Sequence, residues 1–135
     1  MGLMVAASVV VVASGAGVAA NVGNVRQVFL PDRVEQGRVL YVQVCRSCHS
    51  SEPDRHKHGP SLFGVVGRPA GSAPDFDYSD AMKSANLTWT DESLDRYLAD
   101  TKHFIPGNAM PYSFLMGTQN QERRQNIIAY LHTLQ

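Results

Sequence analysis

The chain has 135 residues and a mass of 14.8 kDa, which is room for one domain. Its 12 Lys+Arg balance 12 Asp+Glu, giving a formal net charge of +0 and a pI ≈ 7.0, so no basic excess points to nucleic acid as a partner. Gly 11 and Pro 7 do not mark it as disordered. The hydrophobic content of 44% overstates the folded core, because much of it lies in residues 1–20.

Residues 3–20 carry no charge and are built mainly from Val, Ala, Gly and Ser, with Val9-Val10-Val11-Val12 in the middle and Val18-Ala19-Ala20 at the end. Residues 1–20 are therefore expected to be a secretory signal peptide, although no Lys or Arg precedes the apolar run. The competing reading is an uncleaved membrane anchor through residues 3–20, barely long enough to span about 30 Å of hydrocarbon. Either reading places the remainder in the periplasm, with residues 21–32 as an N-terminal extension and residues 33–135 as the domain.

A first helix is predicted over residues 32–45, where Val34, Gly37, Tyr41 and Val44 recur at helical spacing after Asp32. It runs into Cys45-Arg46-Ser47-Cys48-His49, which holds both cysteines of the chain. This spacing is the attachment signature of a c-type haem. Two thiols add across the two vinyl groups of one porphyrin edge, so they must stand about one helical turn apart. The following imidazole can then coordinate the iron. A Cys-x-x-Cys pair also serves thiol–disulfide exchange and zinc. Exchange wants a βαβ setting, which the pattern lacks. Structural zinc wants four ligands, which would have to include His49 and one of His56, His58, His103 or His132.

Residues 50–79 read as loop, punctuated by Gly59-Pro60, Gly64, Gly67-Arg68-Pro69, Gly71 and Pro74. So long a loop is unusual in a compact domain, and wrapping a large apolar cofactor accounts for it. A short helix is expected over residues 80–85. Thr90 is a good N-cap, with Asp91 and Glu92 in the first turn, for a helix that puts Leu94, Tyr97 and Leu98 on one face and ends before Pro106-Gly107. A last helix is predicted over residues 119–134, with Ile127, Tyr130, Leu131 and Leu134 inward. The fold class is therefore all-α.

A haem iron needs a sixth ligand or an open position, and five methionines compete for the role. Met1 and Met4 lie in the leader, Met82 reads as core filler, and Met116 lies near a turn. Met110 stands in Ile105-Pro106-Gly107-Asn108-Ala109-Met110-Pro111, a loop with Pro on both sides that can hold a thioether against iron. Such a soft, neutral ligand favours the ferrous state and raises the potential. A histidine in that place, or an open position, remains as the alternative.

From about residue 34 to residue 134 the chain resembles a class I cytochrome c, nearest the mitochondrial type and the soluble cytochromes of photosynthetic and other alpha-class bacteria. The resemblance rests on Gly37 and Tyr41, the haem motif, His56-Lys57-His58-Gly59-Pro60-Ser61-Leu62, Phe63-Gly64-Val65-Val66-Gly67-Arg68, Ala73-Pro74-Asp75-Phe76-Asp77-Tyr78-Ser79-Asp80-Ala81, Leu87-Thr88-Trp89-Thr90, the Met110 loop and Ile128-Ala129-Tyr130-Leu131, all in the family's order. It implies the cytochrome c fold: three main helices plus short helices and long loops wrapped around one covalently bound haem c. It implies that Cys45, Cys48 and His49 hold the haem, that His49 and Met110 are the axial ligands, and that the carbonyl of Pro60 accepts a hydrogen bond from His49. Arg68, Tyr78 and Trp89 would contact the haem propionates, Tyr97 would lie in the haem pocket near Met110, and Asn108 would stand beside a propionate. Gly37 and Tyr41 would pack the first helix on the last. His56 is expected to bond a backbone carbonyl, and His58, His103 and His132 to be exposed or satisfied locally.

The sequence also departs from the family. Met82 stands where Asn is common, which should alter the hydrogen bonding around Tyr97, and residues 111–118 form a longer segment than in the mitochondrial proteins. Val44 and Ala109 replace common lysines, leaving Arg46, Lys57 and Lys102 as a thin basic rim. The function implied is a monomeric, one-electron carrier and not an enzyme. Its partners would be redox proteins such as a cytochrome oxidase, a quinol–cytochrome c reductase or a periplasmic dehydrogenase. The alternatives are a haem subunit or domain of a larger dehydrogenase or oxidase, or a haem peroxidase.

Overall fold

Helix α1 (Arg33–Leu40) starts at Asp32, whose carboxylate accepts the N–H of Glu35 at 2.8 Å and so satisfies one of the free donors of the first turn. The computed structural model describes residues 32–110 and 118–135. The chain divides into two units, Met1–Leu30 and Pro31–Gln135, and every described residue belongs to the second. The expected leader or anchor, most of the extension, and Tyr112, Phe114 and Met116 lie outside the described residues.

The helix α1 continues as a π-helical segment, Tyr41–Cys45, in which the N–H of Arg46 reaches back to the carbonyl of Tyr41 at 2.9 Å. The predicted helix over residues 32–45 is therefore present, but its second half is wound more widely than an α-helix. Its buried face is Gly37, Leu40 and Tyr41. Val34, which helical spacing put on that face, is 38% exposed, because α1 meets its partner helix at Gly37, one turn further on.

Residues 50–79 contain no helix or strand, as the glycines and prolines indicated. An isolated antiparallel bridge between Pro69 and Thr88 ties this loop to residues 87–90. The short helix α2 (Asp80–Lys83) is capped by Ser79, and Met82 within it is buried in the core. Helix α3 (Asp91–Ala99) opens at Thr90 with a reciprocal cap: the Thr90 side chain takes the N–H of Ser93, and the Ser93 hydroxyl takes the N–H of Thr90. Leu94 and Tyr97 are buried and Leu98 is half-buried.

The single helix expected up to Pro106 is broken. Asp100 is extended (φ −155, ψ 90), and its carboxylate accepts the N–H of His103 at 3.2 Å, starting the separate helix α4 (Thr101–Phe104). Helix α5 (Gln121–Leu131) is capped by Asn120 and buries Ile127, Ile128 and Leu131, while Tyr130 and Leu134 are half-buried. Among the described residues there are three main helices, two short ones and long loops.

The α1–α5 contact is the most extensive pairing of helices among the described residues. A Cβ built on Gly37 would lie 1.8 Å from the carbonyl oxygen of Asn126 and 2.8 Å from the Cβ of Tyr130, so only glycine permits this approach. On either side of the crossing, Asn126 donates to the Gln36 side chain at 2.9 Å and the rings of Tyr41 and Tyr130 lie 5.2 Å apart. The core continues through Val65, Met82, Trp89, Leu94 and Ile105. Each fully buried aliphatic side chain stabilises the fold by about 1.5–3 kcal/mol relative to exposure.

Arg124 is the buried charge of this core, at 8% exposure. It forms a two-pronged pair with Asp95 of α3 at 2.8 and 3.1 Å and donates to the carbonyls of Thr118 and Gln119 at 2.9 and 2.8 Å. With these four hydrogen bonds the guanidinium ties α5 to α3. Removing one partner of such a pair would strand a buried charge.

Gly37→Ala should force α1 and α5 apart and destabilise the protein by about 3 kcal/mol, the upper part of the usual range for overpacking. The holoprotein's urea midpoint should fall with little change in m-value, whereas an unchanged midpoint would show that the helices slide at no cost.

Candidate haem site

The thiols of Cys45 and Cys48 stand one turn apart at the end of the π-helical segment, closed by the N–H of Cys48 on the carbonyl of Cys45 at 3.1 Å and the N–H of His49 on the same carbonyl at 2.8 Å. Burial pushes the Cys45 thiol up to about 12, with a smaller push from Cys48. A thiol-exchange site needs the opposite, a lowered pKa that exposes a thiolate. Among the described residues no group of three or more His, Cys, Asp and Glu side chains converges as a metal cage. Neither observation favours the two alternatives left open by the bare Cys-x-x-Cys spacing.

The geometry at His49 is specific. Its Nδ1 lies 2.8 Å from the carbonyl oxygen of Pro60. A carbonyl can only accept, so Nδ1 carries the proton and Nε2 keeps its lone pair, the form needed for metal ligation. Burial lowers the pKa of His49, the Pro60 contact partly opposes this, and the Lys57 charge adds to the lowering. The ring is thereby kept neutral. Gly59 presses against it: a Cβ there would sit 2.3 Å from the ring's Cε1 and 2.7 Å from Nδ1. The Tyr41 hydroxyl donates to the carbonyl of His49 at 3.3 Å, tying the motif to α1.

Arg68 joins this cluster to a second one. Its guanidinium donates to the carbonyls of Ser61 and Phe63 at 3.1 and 3.0 Å, and its own carbonyl accepts the N–H of Trp89 at 3.0 Å. Its Nε is buried with no hydrogen-bond partner. A buried N–H of a cation without an acceptor is costly, and a carboxylate outside the polypeptide would satisfy it. The Trp89 ring lies 5.0 Å from that of Tyr97. The Tyr97 hydroxyl, whose pKa is raised by burial, donates to Asn108 Oδ1 at 3.1 Å. The same oxygen accepts the N–H of Met110 at 2.9 Å. Tyr78 stands apart from this chain of contacts. Its hydroxyl accepts the N–H of Ala73 at 3.3 Å, and its ring meets Phe76 edge-on at 4.8 Å.

Three of the other four histidines are paired, and His58 is exposed. His56 donates from Nε2 to the carbonyl of Pro74 at 2.7 Å and accepts the N–H of Ser61 on Nδ1 at 3.0 Å, the structural role expected of it. His103 pairs with Asp100 and His132 with Asp91, both at the surface.

A close thiol pair, a neutral imidazole with a free Nε2 and an orphaned buried Arg N–H together fit a haem. The profile of the family described as "Cytochrome C oxidase, cbb3-type, subunit III" matches residues 32–131. The cytochrome c of Euglena viridis is 39% identical over 100 residues, which are 74% of this chain and 95% of the relative. The cytochrome c2 of Rhodopila globiformis is 38% identical over 99 residues, covering 73% and 91%. Among solved structures, cytochrome cH from Methylobacterium extorquens superposes with a TM-score of 0.67 at 36% identity, over 74% of this chain and 97% of that one. The chain belongs to the class I cytochromes c. As a cytochrome c it has the cytochrome c fold, carries a covalently attached haem c and serves electron transport.

Two features of this cytochrome c escaped the sequence reading. Gly59 was visible only as part of a Gly-Pro turn, because its contact with His49 arises ten residues away in the chain. Asn108 was placed beside a propionate, yet both of its amide hydrogens are committed, to the carbonyls of Thr101 and Ile105 at 2.7 Å each. An Asn followed two residues on by a backbone N–H is an Asx-turn signal, which could have suggested its local role.

Gly59→Ala should displace the His49 ring from the Pro60 carbonyl and sharply lower the fraction of chain isolated with haem attached. Pyridine haemochrome content per mole of polypeptide is the measurement, with the wild-type ratio as reference.

Proposed function

We propose that this cytochrome c carries single electrons between periplasmic redox proteins, with Cys45 and Cys48 as the thioether anchors, His49 as the proximal ligand and Met110 as the distal ligand. The observation that carries the reading is the His49 hydrogen bond to Pro60, which leaves Nε2 unprotonated one residue after the thiol pair. Bound haem supplies the ferrous–ferric couple. The polypeptide orients one imidazole through Pro60, keeps it neutral by burial and offers Met110 from a loop held by Asn108. The orphaned Nε of Arg68 supports a propionate contact there, with Tyr78 and Trp89 as the further donors the family resemblance implies. Tyr97 completes the pocket near Met110.

A peroxidase would need an exchangeable distal position and an acid–base group beside it. Met110 instead has its N–H taken by Asn108 and its carbonyl approached by the Thr101 hydroxyl at 3.5 Å, which supports a carrier. The family profile's description favours a second reading, a haem subunit of an oxidase. The near full-length match to small cytochromes favours the carrier, which docks in turn on a reductase, dehydrogenase or oxidase as a monomer. Residues 1–20 serve as its leader, or as an anchor through residues 3–20, and residues 21–32 link them to the domain. No described helix is long and apolar enough to cross a membrane.

Acid–acetone extraction should leave the haem on the polypeptide, and recovery of free haem would defeat the thioether assignment. Met110→Ala should abolish the near-infrared thioether-to-ferric-iron band and lower the potential sharply, because a weaker donor to ferric iron is replaced by water. Met82→Ala and Met116→Ala should keep the band. Association with a physiological donor should depend weakly on salt, given a formal net charge of +0 and few cations around Arg46, Lys57 and Lys102. Stopped-flow rates that fall tenfold or more between low and high salt would show instead that the local basic rim does the docking.

A further inference from the structure

We propose that Asn108 is a positioning residue that holds Met110 closed on the iron, rather than a propionate contact; this rests on Met110 being the distal ligand. Its side chain makes four hydrogen bonds, the full set for its two donors and two principal lone pairs. Both amide hydrogens go to backbone carbonyls, Thr101 at the start of α4 and Ile105 just beyond its end. The carbonyl oxygen accepts the N–H of Met110 at 2.9 Å and the hydroxyl of Tyr97 at 3.1 Å. One planar amide thus joins α3, α4 and the ligand-bearing residue. No donor is left for a propionate.

Residue identity explains the arrangement. The Tyr97 hydroxyl finds its acceptor in the Asn108 side chain, and the buried Met82 of α2 offers only a weak thioether in its place. Serine or threonine has one donor and could not hold both carbonyls. Aspartate would set a carboxylate oxygen against them. Opening the Met110 loop must break the Asn108 bond to the Met110 N–H, and Tyr97 stiffens that bond by sharing its acceptor. The pairing is partly buried and rests on the buried Tyr97, which limits the access of water to it.

The test is the affinity of the ferric holoprotein for added imidazole, which can bind only when Met110 leaves. Asn108→Ala should raise that affinity about fivefold or more, since the hydrogen bond to the Met110 N–H no longer opposes opening. Asn108→Asp should raise it at least as much. Tyr97→Phe, which is nearly isosteric and should fold, should raise it less, and should add nothing in the Asn108→Ala background. Urea unfolding of each variant separates loop opening from global loss of stability. An imidazole affinity unchanged in Asn108→Ala, with only the potential shifted, would overturn the proposal in favour of a propionate contact. Met110→Ala is the control: if it leaves the near-infrared band intact, the ligand assignment fails and the positioning role falls with it. If it removes the band while Asn108→Ala behaves as wild type, the positioning role alone fails.

Discussion

The close crossing of α1 on α5 is the constraint on which the rest of the structure depends. With Gly37 against the Asn126 carbonyl, two helix backbones touch with no side chain between them. The contact joins residues about ninety positions apart, so it closes the described domain into one body. It also sets where α1 points, and the haem motif lies at the end of that helix. A wider crossing would carry Cys45, Cys48 and His49 away from the loops that complete the site. The aromatic pair of Tyr41 and Tyr130 and the Gln36 contact to Asn126 fix the rotation about the crossing point.

From that anchored helix, the proximal side is built by backbone groups. The wider π turn ends at Cys45, the Pro60 carbonyl sets the tautomer of His49, and Gly59 allows the loop to lie against the imidazole. None of these contributions needs a charged side chain. Polar groups that the core buries are instead matched one by one, as with Arg124 between Asp95 and two backbone carbonyls. Among the described residues two buried polar atoms are left over, Asn126 Oδ1 and the Nε of Arg68, and only the second is a donor on a cation. A buried cationic N–H without an acceptor fits the proposed contact with a haem carboxylate, which has the right charge.

The distal side depends on side chains. After the helix break at Asp100 the chain must turn back toward the core, and Asn108 holds that turn by bridging the Thr101 and Ile105 carbonyls. Further along, Arg124 grips the carbonyls of Thr118 and Gln119, and Gln119 donates to the Ala99 carbonyl at 2.8 Å, so the chain is pinned again where α5 begins. Met110, the proposed ligand, thus lies between two fixed points, its own bond to Asn108 and the Gln119 bond to Ala99. That suits a carrier, because electron transfer is fast when the coordination sphere changes little between the two oxidation states.

What the sequence by itself determined is local. The Cys45, Cys48 and His49 spacing is chemistry written within one helical turn, and it named the cofactor before any fold was known. The caps at Asp32, Thr90 and Asn120 and the glycine- and proline-rich stretch over residues 50–79 act within a few residues, so the helices and the long loop were legible as well. Resemblance to the family supplied the Pro60 contact to His49, which spacing could not. The tertiary structure alone decided the break at Asp100, the outward turn of Val34, the salt bridge between Asp95 and Arg124, the closeness of Gly59 to His49 and the four bonds of Asn108. The outward turn of Val34, the Asp95–Arg124 bridge and the closeness of Gly59 to His49 depend on which distant segments meet and at what separation. Periodicity and turn signals carry no information about that, because a helix of given pattern can cross its neighbour at any point along its length until packing selects one.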